Sequence, residues 1–193
     1  SGGGSSETQT EEVSAEEREL ALIEAERLLE VGNVECDESR YAEARKCFEG
    51  ALEIFRKHTN RTGEGQVLGS LGGVYEAQGQ YDRAIAHHTE ALAIAREIGD
   101  KRSEGIHLGN LGIVYKSLAQ YDEAITHYSQ ALAIAREMGN KRSEGSNLGN
   151  LGNVFPKHNR LGMTSRSKAR PATSFVQMRQ ELQSRHGTSP SGL

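Results

Sequence analysis

Shifted by 40 positions the chain overlays itself, and this self-similarity limits its fold more than any other feature. "QYDRAIAHHTEALAIAREIGDKRSEG" at 80–105 aligns with "QYDEAITHYSQALAIAREMGNKRSEG" at 120–145. Leu28, Leu68, Leu108 and Leu148 form one equivalent set, and Gly32, Gly72, Gly112 and Gly152 another. Tyr41, Tyr81 and Tyr121 form a third, followed by Ala44, Ala84 and Ala124 and then Ala51, Ala91 and Ala131. A fixed period of this length marks a stacked array whose units bury their apolar faces against one another. The first copy diverges most, with Glu35 where later copies carry Tyr75, Tyr115 and Phe155. A more polar end unit suits the place where a stack stops.

Each unit reads as two helices. In the first, Leu108, Leu111, Tyr115 and Leu118 recur at spacings of three and four and make one apolar stripe. A short break follows, "QGQ" at 78–80 and "LAQ" at 118–120. The second helix carries Ala124, Tyr128, Ala131, Ala135 and Met138 on one face. Gly99 and Gly139 suit the left-handed residue that closes a helix, and Asp100 and Asn140 can cap the next, with Asn60 in the same register. Helices this short need a neighbour to bury their stripes.

Taken together, L-G-x-x-Y followed by Tyr, Ala, Tyr/His and Ala at fixed offsets resembles the tetratricopeptide repeat, a helix-turn-helix solenoid unit. The usual unit has about 34 residues, against 40 here. The lengthened form ending "ALAIAREIGDKRSEG" is similar to the repeats of LGN/Pins-type adaptors and, more loosely, of kinesin light chain. The resemblance covers about residues 25–156. It implies an all-α, right-handed superhelical solenoid. Two departures stand out: the early aromatic is Leu68/Leu108/Leu148, and the late proline is Arg96/Arg136.

Glycine inside a helix costs about 1 kcal/mol against alanine, so the recurring "LGSLGG", "LGNLG" and "LGNLG" need a reason. The family places a small residue where the paired helices approach closely, and Gly72 with Ala84, and Gly112 with Ala124, fit that role, with Gly152 in the same register. Gly69, Gly109 and Gly149 lie on another side of the helix. The resemblance implies an inner groove lined by first-helix faces, here Gly69, Ser70 and Gly73; Gly109, Asn110 and Ile113; Gly149, Asn150 and Asn153; and Asn33 from the first unit. In the resembling adaptors, asparagines at the position of Asn110 and Asn150 hold the backbone of an extended ligand. A side-chain amide offers both a donor and an acceptor, which suits a peptide bond. Asn110 and Asn150 could equally bridge neighbouring repeats, and both roles are open to them.

Other chemistries are not expected. A carboxylate clamp needs lysines and an arginine where this chain has Leu29, Gly69, Gly109 and Gly149, then Ser70, Asn110 and Asn150. "GSLGG" lies inside a repeat helix and lacks the strand and pattern of a phosphate loop. His87 and His127 share a register one repeat apart, too isolated for a metal site, and read as ridge residues; His88 and His107 recur only in part. Lys101, Arg102 and Glu104 of "KRSEG" read as solvated, with a rim contact to an acidic ligand as the alternative. No catalytic set is evident, so no enzyme activity, cofactor, metal or small-molecule substrate is expected. Cys36 and Cys47, without metal-type spacing, read as reduced thiols of a cytoplasmic protein.

Residues 1–13, "SGGGSSETQTEEV", read as a disordered tail rather than a signal peptide, and the missing initiator Met points to a fragment or a processed chain. Ser14 and Glu17 form a capping box, so a helix is expected from Ala15 through Leu20, Ile23 and Leu28 toward Val31. The array is expected over 14–156: three repeats and the first helix of a fourth, ended by Pro156. Residues 1–156 carry a net charge of −10 and residues 157–193 one of +6. Within this basic tail, Phe175, Met178 and Leu182 share a face, and a short helix over 175–186 could cover the last repeat; a disordered tail is the alternative. Ser165, Ser167 and Thr173 lie in basophilic phosphorylation contexts. The acidic body and the lack of interleaved aromatics argue against nucleic-acid binding. The expected function is a non-enzymatic protein–protein interaction scaffold, or adaptor, that binds an extended segment of a partner in its concave groove. The alternative is a regulatory arm of a larger signalling protein, such as an ATPase, a kinase or a G-protein-linked one.

Overall fold

The structure, a computed structural model, describes residues 14–164, with side chains to residue 159. Every element among them is a helix: α1 (Ala15–Asp37), α2 (Tyr41–Lys57), α3 (Arg61–Ala77), α4 (Tyr81–Glu97), α5 (Lys101–Ser117), α6 (Tyr121–Glu137) and α7 (Lys141–Thr164). Each helix packs on the one before and the one after it, in three hairpins, α1–α2, α3–α4 and α5–α6, followed by α7. The fold is a helix-turn-helix solenoid.

The joints explain the regularity. Every turn has a middle residue at positive φ: Ser39 (61°), Thr59 (52°), Gly79 (70°), Gly99 (74°), Ala119 (58°) and Gly139 (65°). The residue after it donates its backbone N–H to the carbonyl five positions back, as in Asn60 to Phe55 (2.8 Å) and Asp100 to Ala95 (2.8 Å). This bond closes the helix end. Glycine takes such a φ freely, whereas Ser39, Thr59 and Ala119 accept a local cost of about 1 kcal/mol. The expected caps are present. Asn60 Oδ1 accepts from Gly63 N (2.9 Å), Asp100 Oδ1 from Ser103 N (3.0 Å) and Asn140 Oδ1 from Ser143 N (3.1 Å). Ser14 and Glu17 make the reciprocal box that starts α1.

The glycines of the second set do lie where helices approach, but the group that fills the notch differs from the expected alanine. Phe48 presses on Gly32, His88 on Gly72 and Tyr128 on Gly112; a Cβ on these glycines would stand 2.5, 2.5 and 2.6 Å from the rings. Ala84 and Ala124 are fully buried nearby in the register of Ala44 without being that contact. A ring, being larger, needs the missing Cβ more than a methyl group does. Gly152 has nothing within 4 Å, since no second helix follows α7 among the described residues.

Charged residues join successive units. Glu64, Glu104 and Glu144 each receive an arginine from the preceding hairpin: Arg56 (2.8 Å), Arg96 (2.9 Å) and Arg136 (3.1 Å). A second cation from the same first turn completes each clamp: Arg61 (2.5 Å), Lys101 (2.9 Å) and Lys141 (3.0 Å). Glu64 and Glu104 are buried, which corrects the reading of Glu104 as a solvated turn residue. Burial would raise Glu64, but hydrogen bonds from Arg56 and Arg61 hold its carboxyl below the ordinary carboxylate value. Hydrogen bonds from Lys101 and Arg96 do the same for Glu104 against its burial. The missing consensus proline and the conspicuous "KRSEG" are therefore two halves of one joint.

The two ends differ from expectation. Leu20 and Ile23 are 66% and 55% exposed, so the early stripe of α1 is not core; Ala25 and Gly32 are its buried residues. No unit precedes α1 among the described residues to cover that side. Arg18 instead donates to the His58 carbonyl (3.1 Å) at the end of α2. At the other end α7 passes Pro156 and continues to Thr164. Proline removes one helix hydrogen bond, to the Gly152 carbonyl, and Pro156 lies exposed, where water can take that carbonyl. The expected helix over 175–186, the three phosphorylation contexts and residues 1–13 lie outside the described residues.

Candidate functional site

The first helices of the units carry the candidate residues, and the 40-residue register sets equivalent ones on successive first helices. Gly109, Asn110 and Ile113 of α5 and Asn150 of α7 line one solvent-open hollow of about 360 Å³ between α5, α6 and α7. Ile106, Met138, Ala135 and Asn147 line it as well, and Lys101, Arg102 and Arg142 stand at its rim. Ile106 and Met138 are large apolar side chains about half exposed. Asn110 and Asn150 are half-buried and make no side-chain hydrogen bond among the described residues. Among the described residues their amides form no bridge between the repeats. Arg102 and Arg142 are exposed and form no ion pair among those residues, whereas Lys101 is held by Glu104.

The other expected groove residues fall elsewhere. Asn33 and Ser70 meet each other, the Ser70 hydroxyl donating to Asn33 Oδ1 at 3.5 Å, a bridge between the first two units. Gly73, Gly149 and Asn153 are exposed and stand outside the hollow. Gly69 takes part in packing: a Cβ there would stand 2.7 Å from His107 Cε1. At the equivalent Gly109 the nearest atom is Asn147 Oδ1, 3.9 Å away. Asn147 turns back along its own helix, Nδ2 donating to the Ser143 carbonyl at 2.9 Å. The exchange of His107 for the smaller Asn147 in one register thus leaves the second gap open while the first is filled.

Met138, read as part of the apolar stripe of α6, is instead about half exposed at the hollow, and sequence reasoning missed Asn147 and Ile106. Comparing His107 with Asn147, and Gln66 with Ile106 and Ser146, at the 40-residue shift would have pointed to them. The histidines also resolve. His87 stacks on Tyr75 (centroids 5.1 Å apart) and His127 on Tyr115 (5.2 Å), a repeated structural pair rather than free ridge residues. His88 and His107 are buried. No group of three or more metal-ligating side chains is present among the described residues, and no helix among them is long and apolar enough to cross a membrane.

Hairpins stacked in series define a helical-repeat solenoid. The chain belongs to the tetratricopeptide repeat family: the model described as "Tetratricopeptide repeat" matches residues 24–97, 64–137 and 103–161. No curated protein matches the sequence. Among solved structures, aspartyl phosphate phosphatase F from Bacillus subtilis is similar over 74% of this chain and 38% of its own, at 19% identity and a TM-score of 0.69. RapI in its apo form is similar over 74% and 40%, at 22% identity and 0.68. BtubC (BKLC) from P. vanneervenii is similar over 78% and 69%, at 18% identity and 0.65. At these identities the likeness shows the fold alone. The chain spans about two-fifths of the length of the first two. The matches reach the repeat family and go no further toward LGN/Pins-type adaptors.

Proposed function

We propose that the chain is a non-enzymatic interaction scaffold that receives an extended segment of a partner protein across α5 and α7. Asn110 and Asn150 each pair with the partner's backbone, and the Ile106–Met138 side of the hollow takes one of its apolar side chains. The observation that carries this reading is the pair of half-buried asparagines, one repeat apart, lining one hollow beside Gly109 without an internal hydrogen bond. An amide can both donate to a peptide carbonyl and accept from a peptide N–H. Two such groups in one register hold a chain's direction while leaving its side chains free.

The test is selection of random dodecamer peptides on the immobilised protein, followed by titration of the selected peptides against Asn110→Ala/Asn150→Ala. The expected result is at least a tenfold loss of affinity, since two hydrogen bonds of about 1 kcal/mol each disappear, with helicity and melting temperature unchanged. Peptides that bind the double variant as tightly as the parent, or a selection that yields none, would reject the groove assignment.

A further inference from the structure

His88 occupies the position that Phe48 and Tyr128 occupy in the flanking units, yet it is an imidazole. It is 0% exposed, and neither Nδ1 nor Nε2 has a hydrogen-bond partner among the described residues. His107 lies beside it, ring centroids 6.1 Å apart and tilted by 37°, with its own Nδ1 unpartnered. The two rings fill adjacent notches in α3: His88 meets Gly72 and His107 meets Gly69. A neutral imidazole brings one donor and one acceptor into the core. A phenyl ring, which the first unit uses, would fill the same space without that cost.

Among the described residues no acidic group favours a charge on His88. From α3, Gly72 faces the ring. Its own helix brings His87 and α5 brings His107, both of which oppose a charge on it. Asp100, capping α5, favours a charge on His107, the farther ring from α3's Gly72. Burial first, then His107 and His87, push His88 down to about 4. Burial also lowers His107, against the pull of Asp100.

We propose that His88, with His107 beside it, is an acid-sensitive latch: protonation expels it from the Gly72 notch and parts α4 from both α3 and α5, opening the solenoid at its centre. The sign follows from the two protonation states. In the unfolded chain His88 titrates near its ordinary value, about 6.5. Between there and about 4 the unfolded chain binds a proton that the folded one refuses. Stability is therefore complete above about 6.5 and drains as pH falls toward 4. The carboxylate clamps titrate below the ordinary carboxylate value, a separate and more acid window.

The experiment is urea unfolding of the full chain at pH 7 and pH 5, beside His88→Phe, which installs the first unit's residue. The folded-to-unfolded ratio of the parent should fall about twentyfold more than that of the variant over this interval. Equal pH dependence in the two proteins overturns the proposal. Should His88→Phe not fold, the parent alone decides by NMR of its histidine ring protons. A His88 that stays neutral until the chain unfolds supports the latch. One that titrates near 6.5 in the folded chain overturns it.

Discussion

The gap between the second and third units and the gap between the third unit and α7 share one sequence pattern and differ at the residue that faces the groove glycine. In the first, His107 lies against Gly69; in the second, Asn147 leaves Gly109 uncovered and a hollow opens. The same glycine is thus a packing residue in one unit and part of an open wall in the next. A repeat position has no fixed role: the residue facing it from the following unit assigns one.

The largest contrast is expected between Gly112→Ala and Gly152→Ala, glycines of one register with and without a ring against them. The first places a Cβ 2.6 Å from the buried Tyr128 ring, and the second meets open space. Gly112→Ala should lose about 3 kcal/mol, whereas Gly152→Ala should gain up to about 1 kcal/mol from helix propensity. Urea unfolding of both variants measures the difference, and a loss of equal size in both would break the comparison.

Next comes the pair in the groove register. Gly69→Ala drives a Cβ into His107 and should lose about 1–2 kcal/mol. Gly109→Ala has room and should be neutral or stabilising by up to about 1 kcal/mol. Opposite signs in thermal melts would confirm that the two gaps differ as packed objects.

A smaller effect, about 1 kcal/mol, is expected of Glu104→Gln, which leaves Arg96 and Lys101 without their shared carboxylate. The clamp's contribution is present above the ordinary carboxylate value and is lost as pH falls through the lowered value of the folded state. The parent and the variant should therefore converge in stability on acidification, and a constant difference down to pH 3 would count against the clamp. The smallest change in stability, within about 0.5 kcal/mol, is expected of Asn147→His, which carries the first gap's residue into the second. It should nevertheless close the hollow, and selected peptides should lose affinity while the melting temperature holds.

Much of the fold was legible because the signals are local and repeated. Helix caps at Asn60, Asp100 and Asn140 and helix ends at Gly99 and Gly139 depend on residues a few positions apart. The passage of α7 through Pro156 was not legible, since it turns on which face of the helix the proline occupies. The site was legible only in part. Asn110, Asn150, Gly109 and Ile113 were placed by register and do share one hollow. Asn33, Ser70 and Gly69 share that register too, yet they meet neighbours that the repeat pattern does not specify.

The 40-residue period, the hairpin unit and the helix ends were determined by the sequence, through spacings and caps that act within one unit. Tertiary structure decided which glycine is filled, which carboxylate is clamped and which gap stays open. Those outcomes depend on residues that belong to different helices, such as Arg96 with Glu104, Gly112 with Tyr128 and Gly69 with His107. Their volumes and charges meet only when one helix is laid against the next.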